Sequence, residues 1–482
     1  MAEVTAGNVA TEDRPEPKHI TPLMRKIWGI GVFGEGFNMS PGQLYRNYFS
    51  TTIIGTPPTV MAAIAGVSAF TGFLGAPIGS RLVDGIKPMR WGKLRSWLLV
   101  GSIISFSMSW FGWVQIGSPT FNAWLKYGVG LLTGWCYNAQ VIATFSLVPS
   151  MCYYDEERMV LASNQMTGNK LGTLLAGFIV PLIMNNWLEP AMGRWSYLVI
   201  GVICNGVMFA CYMVHFKLSE GYEGNGQVIA KAGKKPLTLK EAGAAIVAVP
   251  SLLPMVFADI TSTVGAFLLP PFVVYLYRYV INDGQSFGLM AVHNLCIGIA
   301  GTIGSWLARI WLKKFHDKKN ICLCLYPLMA IFIFAARFFT DNLPMFIFCI
   351  SMCMLFQGTT NPVENTFYYD MATVAQLKTN TDPTPTFIAV QQFGPGVAGI
   401  ISSNTLAWTL VLMDYTPGIE VTQQVKDGFL NGYCVAPTII FCLGWLALFF
   451  FYKITPEMVA DAKATILARG EELIDEDALD VD

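Results

Sequence analysis

Six ionisable side chains stand inside otherwise apolar runs: Glu35, Lys170, Asp259, His293, Arg337 and Glu364. A charge in such a setting is costly unless it faces a cavity or a partner, so each marks a polar interior, an ion pair or a place to hold a proton. Glu364 has the fullest context. Gln357, Asn361, Glu364 and Tyr368 are spaced 0, 4, 7 and 11, which puts them on one face of a helix. Such a stripe either lines water and solute or hydrogen-bonds to neighbouring helices as packing. Glu35 has Asn38 and Arg46 at offsets 3 and 11, and is read either as a cavity residue or as half of an internal ion pair. Asp259, with Ser262 and Thr263 following on its face, is suited to carrying a proton if no cation lies near, or else to bonding between helices. Glu35, Asp259 and Glu364 are therefore the candidate coupling residues. Lys170 and Arg337 lie near helix ends and can snorkel or pair with acids. His293, beside Asn294, is a proton relay or a packed histidine.

Amides and rings supply the neutral chemistry. Gln165, Gly168, Asn169 and Gly172 share a helical face that lets another helix or a ligand come close. Gln391, Gln392, Gly394, Pro395 and Gly396 interrupt a helix and expose backbone groups. Trp135 and Asn138 could offer a platform and an amide. The candidate solute contacts are thus Glu35, Asn38, Trp135, Asn138, Gln165, Asn169, Gln357, Asn361, Glu364 and Gln392. There is no His-rich metal cluster, no nucleophile-base pair at a recognisable spacing and no nucleotide-binding loop, so no enzyme, cofactor or metal is expected.

The elements that must hold these residues follow from composition. Of 482 residues, 53% are hydrophobic and 13% charged, and mean hydropathy is +0.48. Soluble domains carry about 25% charged residues. Apolar runs near the roughly 20 residues a bilayer requires, without strand-like alternation, point to an all-α polytopic membrane protein. Twelve spans are expected, at 24–49, 57–83, 95–115, 122–148, 159–184, 194–216, 248–279, 286–312, 320–340, 343–371, 385–414 and 428–453. A net charge of −1 gives no reason to expect nucleic acid. Eleven cysteines, mostly within apolar segments, are expected as buried thiols. The expected organisation is a disordered tail at 1–22, a six-helix bundle at 23–218, a linker at 219–247, a second bundle at 248–455 and an acidic tail at 456–482. The chain is read as a monomer in a lipid bilayer.

Orientation comes from Gly79 to Trp97, where Arg81, Lys87, Arg90, Lys93 and Arg95 face a single acid, Asp84. Basic residues recur in alternate loops, which predicts both termini on the cytoplasmic side. Gly79-Ser80-x-Leu82 is echoed by Gly304-Ser305-x-Leu307, and Tyr153-Tyr154-Asp155 by Tyr368-Tyr369-Asp370. Two repeated halves around a midplane site are the arrangement of rocking transporters. Arg81, Asp84, Arg90, Asp155, Arg158 and Asp370 are expected to form a cytoplasmic gate.

The loop pattern, an Asp closing one helix followed by Arg90-Trp91-Gly92-Lys93-x-Arg95-x-Trp97, resembles the glycoside-pentoside-hexuronide cation symporters, the melibiose-permease-like branch of the major facilitator superfamily. Met24 to Gly36, Ser146 to Pro149 with Asp155 to Arg158, Asp370, and Asp414 to Gly418 extend the likeness over nearly the whole chain. The resemblance implies a major-facilitator fold of 12 transmembrane helices in two six-helix bundles. It also implies a secondary transporter of a small sugar-like solute in a bacterial cytoplasmic (inner) membrane. The family's paired second-helix acids fall on Gly72 and Ala76, its first-helix acid on Gly36, and its fourth-helix acid on about Val141. Its fifth-helix Arg falls on about Gln165 and its eleventh-helix Lys on about Gln392. The implied coupling is therefore to a proton, or absent, rather than to sodium. A less polar solute such as a steroid or lipid-like molecule, and a solute sensor that does not transport, stay open as alternatives.

Overall fold

Ser118 and Pro119 open a 33-residue helix, Pro119–Met151, as their chemistry favours. The Ser118 hydroxyl accepts from the Phe121 amide at 3.3 Å, and proline at the first position lacks an amide that would have no partner there. Thr21, Asp317 and Thr422 cap other helices in the same way. The computed structural model describes residues 18–72, 74–85, 89–152, 154–224, 239–281, 287–315, 317–379, 383–391 and 393–468.

Among the described residues the helices group as twelve spans in two six-helix bundles, the all-α major-facilitator fold. The first span is Ile30–Tyr48, carried on by a π turn at Phe49–Ile53. The second is built of Pro58–Gly72 and Gly75–Gly85, the third is Arg95–Ser107 and the fourth Pro119–Met151. Asp155–Ile183 and Trp195–Leu218 complete the N-terminal bundle as fifth and sixth spans. The seventh to tenth are Leu252–Tyr279, Met290–Lys314, Lys318–Ala336 and Leu343–Thr379. The eleventh comprises Thr384–Gln391 and Phe393–Leu412. The twelfth, Ala436–Phe451, is reached through Gln423–Leu430 and a π turn.

Several boundaries differ from those expected. Gly72, Gly75 and Pro77 gather where the second span divides, and glycine and proline are the weakest helix formers. The third span stops at Ser107, and a single 3-10 turn at Phe111–Trp113 follows. The tenth runs on to Thr379, past the 371 expected.

Within the N-terminal bundle the first span packs on the fifth and sixth, and the fourth on the second and third. In the C-terminal bundle the seventh packs on the eleventh and twelfth, and the tenth on the eighth and ninth. The same wiring therefore occurs twice. Between bundles, the first span meets the seventh, the outer segment of the second meets the eleventh, and the fifth meets the eighth. One apolar cluster crosses this divide, joining Leu44, Tyr48 and Phe49 to Leu268, Phe272, Tyr275 and Phe429. All of these lie toward the face opposite the chain ends, called here the opposite face; the other is the terminal face.

Candidate functional site

The two bundles hold their buried acids in matching ways. Glu35 of the first span accepts from Tyr137 of the fourth at 2.7 Å and from Tyr212 of the sixth at 2.9 Å. Asp259 of the seventh accepts from Tyr368 of the tenth at 2.8 Å. In each bundle, then, an acid on the leading span is held by a tyrosine three spans later. Glu364 is fully buried beside Asp259, and its Oε1 lies 2.5 Å from the Tyr326 hydroxyl of the ninth span. That hydroxyl is also 2.7 Å from the Ala258 carbonyl. One hydroxyl proton cannot serve two acceptors fully; when it points to Ala258, the contact to Glu364 is satisfied by a proton on the carboxyl. A Cβ added to Gly394 would sit 3.6 Å from Oδ2 of Asp259, so the interrupted eleventh span abuts this pair.

The other predicted residues divide between packing and open positions. Gln165 is buried and donates to the Thr144 carbonyl at 3.2 Å, tying the fifth span to the fourth. Asn138 donates to Gly134 of its own helix at 2.8 Å and stands against Gly75 and Gly79 of the second span. Asn38 lies 3.5 Å from the Met208 sulfur. Asn169 is half-buried, and its carbonyl lies where a side chain on Gly36 would be. Trp135 is half-buried with its indole N–H unpartnered. Gln357 is buried with Glu364 and Tyr368, whereas Asn361 on the same stripe is exposed. Gln391 donates to Asn365 of the tenth span. Gln392 lies outside the described residues, as do the side chains of Asp84 and Asp155. His293 is buried with Nε2 3.1 Å from the Tyr433 hydroxyl. Arg337 pairs with Asp427 at 3.1 Å and with Asn431, and Lys170 is exposed.

On the terminal face several ionic contacts lie within one bundle. Asp370 pairs with Lys318 at 3.0 Å in the C-terminal bundle. Arg158 donates to the Cys152 carbonyl at 3.2 Å, while Arg81 and Arg90 are exposed. Glu157 gathers His19, Arg25 and the Ile20 amide, and Glu223 takes the amides of Leu94 and Arg95. The opposite face is tied across the bundles. Thr51 meets Tyr275 at 2.6 Å, Thr52 meets Tyr415 at 2.7 Å, and Arg278 pairs with Glu189 while stacking on Tyr48 and Phe287. This is the geometry of a molecule closed on the opposite face. Sequence reasoning passed over these latch residues, and also Tyr137, Tyr212 and Tyr326. A tyrosine in an apolar run gives no signal until the acid it serves is known.

Arg278→Ala removes the ion pair and both ring contacts at once. Hydrogen exchange of residues 44–53 is expected to rise severalfold, as the closed arrangement loses its share of the equilibrium. Unchanged protection would mean that the threonine-tyrosine contacts alone hold this face.

The family profile described as MFS/sugar transport protein matches residues 27–456. The chain belongs to that family. It is similar to an uncharacterized symporter of Bacillus subtilis, 23% identical over 453 residues, 92% of this chain and 95% of the relative. It is 20% identical to the lactose permease of Lactobacillus helveticus, over 82% of this chain; the match spans 63% of that permease. Among solved structures, the crystal structure of a D-xylose-proton symporter superposes with a TM-score of 0.61 at 14% identity, covering 90% of this chain and 98% of the other. The family and its relatives are transporters rather than enzymes. The protein is thus an integral membrane transporter of small solutes.

Proposed function

We propose that the protein is a proton-coupled transporter of a sugar-like solute, working by alternating access between the bundles and built on the glycoside-pentoside-hexuronide plan. The observation that carries the coupling is the Asp259–Glu364 pair, two adjacent acids served by Tyr368 and Tyr326. Two neighbouring buried carboxyls are disfavoured when both are ionised, so a proton held on one of them is the stable arrangement. The interrupted eleventh span beside them offers backbone groups to a solute, so that proton and solute can bias the same element.

The likeness to a lactose permease and to a xylose-proton symporter supports a sugar-like solute and proton coupling. Basic loops on the terminal face favour its lying on the cytoplasmic side of a bacterial inner membrane. The latch on the opposite face then closes the outside.

The test is uptake into proteoliposomes with sugars and glycosides, under an imposed proton gradient or an imposed sodium gradient. A proton gradient is expected to drive accumulation and sodium to leave it unchanged. Gly72 and Ala76 stand where the resemblance places a cation-binding acid pair, and neither side chain can coordinate an ion. Sodium-driven accumulation would overturn the proposal.

A further inference from the structure

Tyr326 of the ninth span stands between the buried acids and the backbone of the seventh span. Its ring is wholly buried, and a Cβ added to Gly444 of the twelfth span would lie 2.6 Å from its Cε1, so the ring is held and only the hydroxyl hydrogen turns. That hydrogen has two acceptors, Oε1 of Glu364 at 2.5 Å and the Ala258 carbonyl at 2.7 Å. The Ala258 carbonyl also accepts from the Thr261 hydroxyl at 2.6 Å, so it stays satisfied when Tyr326 turns away. An ionised Glu364 takes the hydrogen, because a bond to a charged group is roughly twice as strong as one between neutral groups. A protonated Glu364 returns it to Ala258 and donates to the Tyr326 oxygen instead.

The seventh span is well placed to carry that change away. It runs as one helix, Leu252–Tyr279, and packs on the first span across the divide between the bundles. Tyr275, about 26 Å along it from Ala258, meets Thr51, and Arg278 pairs with Glu189. Pro270 and Pro271 lie between these two ends, where a helix bends most readily. The titratable groups around Glu364 are Asp259 of the seventh span, Tyr326 and Cys322 of the ninth, and Tyr368 on its own span. Among the described residues neither acid of the pair forms a salt bridge with a lysine, arginine or histidine.

We infer that Tyr326 is the positioning residue through which the proton on Glu364 sets the seventh span and, at the far end of that helix, the latch on the opposite face. With the proton in place, Tyr326 ties the seventh span to the ninth and the latch closes. With the proton gone, Tyr326 turns to Glu364 and the seventh span is released. The inference rests on the proton-coupling reading above and names the residue that joins the coupling site to the moving helix.

Hydrogen exchange of residues 44–53 in the purified full-length protein tests it, read as protection factors at about pH 5.5 and about pH 8.5. Wild type is expected to be about fivefold better protected at the acid pH, because the closed latch is then the larger population. Tyr326→Phe keeps the ring against Gly444 and should bring that difference below about twofold. Glu364→Gln, which behaves as the protonated acid, should flatten it too, near the acid value. Thr261→Val removes the other hydroxyl on Ala258 and should keep the wild-type response. A response arising in Glu189 at the latch or in Glu35 of the first span would survive in both the Phe and the Gln variant, and so overturn the inference. A flat response in wild type would overturn it as well. Proteoliposome uptake separates this from the reading beneath it. Proton-driven accumulation with an unresponsive latch removes Tyr326 from the coupling and leaves the symporter standing. A latch response that depends on Tyr326, without proton-driven uptake of any solute, keeps the switch and sinks the coupling reading.

Discussion

Glu364→Gln is expected to abolish proton-driven accumulation while leaving solute exchange intact. Glutamine keeps the shape of the acid and can donate to Tyr326 as a protonated carboxyl does, so the Tyr326–Ala258 arrangement is undisturbed. What is lost is the ability to release the proton. With one proton moved per solute, a gradient of one pH unit supports roughly tenfold accumulation. In the variant the internal concentration should rise only to equal the external one, while labelled solute still exchanges across the membrane at a rate near that of wild type. Loss of both accumulation and exchange would assign Glu364 to solute binding instead. Undiminished accumulation would leave it as packing, and the proton would have to travel through Asp259 or Glu35.

That experiment also addresses what the sequence made legible. Glu364, Asp259 and Tyr368 were readable because an acid in an apolar run is costly and helical spacing gathers its polar neighbours on one face. The partners from other spans, Tyr326, Tyr137 and Tyr212, were not. Helical spacing says nothing about which helix will stand opposite, and a tyrosine is apolar enough to belong anywhere in such a run. Glu35 illustrates the difference: its own face offered Asn38 and Arg46 and left a cavity or an internal ion pair open, and two tyrosine hydroxyls from other spans hold it. On the terminal face Asp370, one of the expected gate residues, pairs with Lys318 of its own bundle. Loop charges reveal orientation, which depends on their sum, better than pairing, which depends on the state the bundles adopt. Latch residues such as Thr51 and Tyr415 are neutral and lie far apart in the chain, so only the folded arrangement brings them together.

The glycine patterns carried more than their simplicity suggests, and Gly172→Val and Gly304→Val are expected to have the largest effect on stability. Gly168, Gly172 and Gly36 bring the fifth and first spans into backbone contact. A Cβ at Gly172 would lie 2.1 Å from the Phe33 carbonyl oxygen, and one at Gly168 2.2 Å from that of Gly29. The face read in the sequence as open to a helix or a ligand is thus taken by a helix. Gly304 is as tightly placed, 2.0 Å from the Leu355 carbonyl oxygen of the tenth span, and its echo Gly79 approaches Ala139 of the fourth at 3.0 Å. The repeated Gly-Ser-x-Leu therefore marks the same crossing in each bundle, second on fourth and eighth on tenth. Lipid tails are as apolar as leucine, so helices in a bilayer gain little from hiding apolar surface and depend on close backbone approach. Valine at either position pushes against main chain that cannot rotate away, and overpacking of this kind costs about 1–3 kcal/mol. Each variant should melt several degrees below wild type in detergent. Gly66→Val, where a Cβ would meet nothing within 4 Å, should melt with the wild type. Equal melting of all three variants would show that the spans can separate without loss, and that backbone contact is not what holds each bundle together.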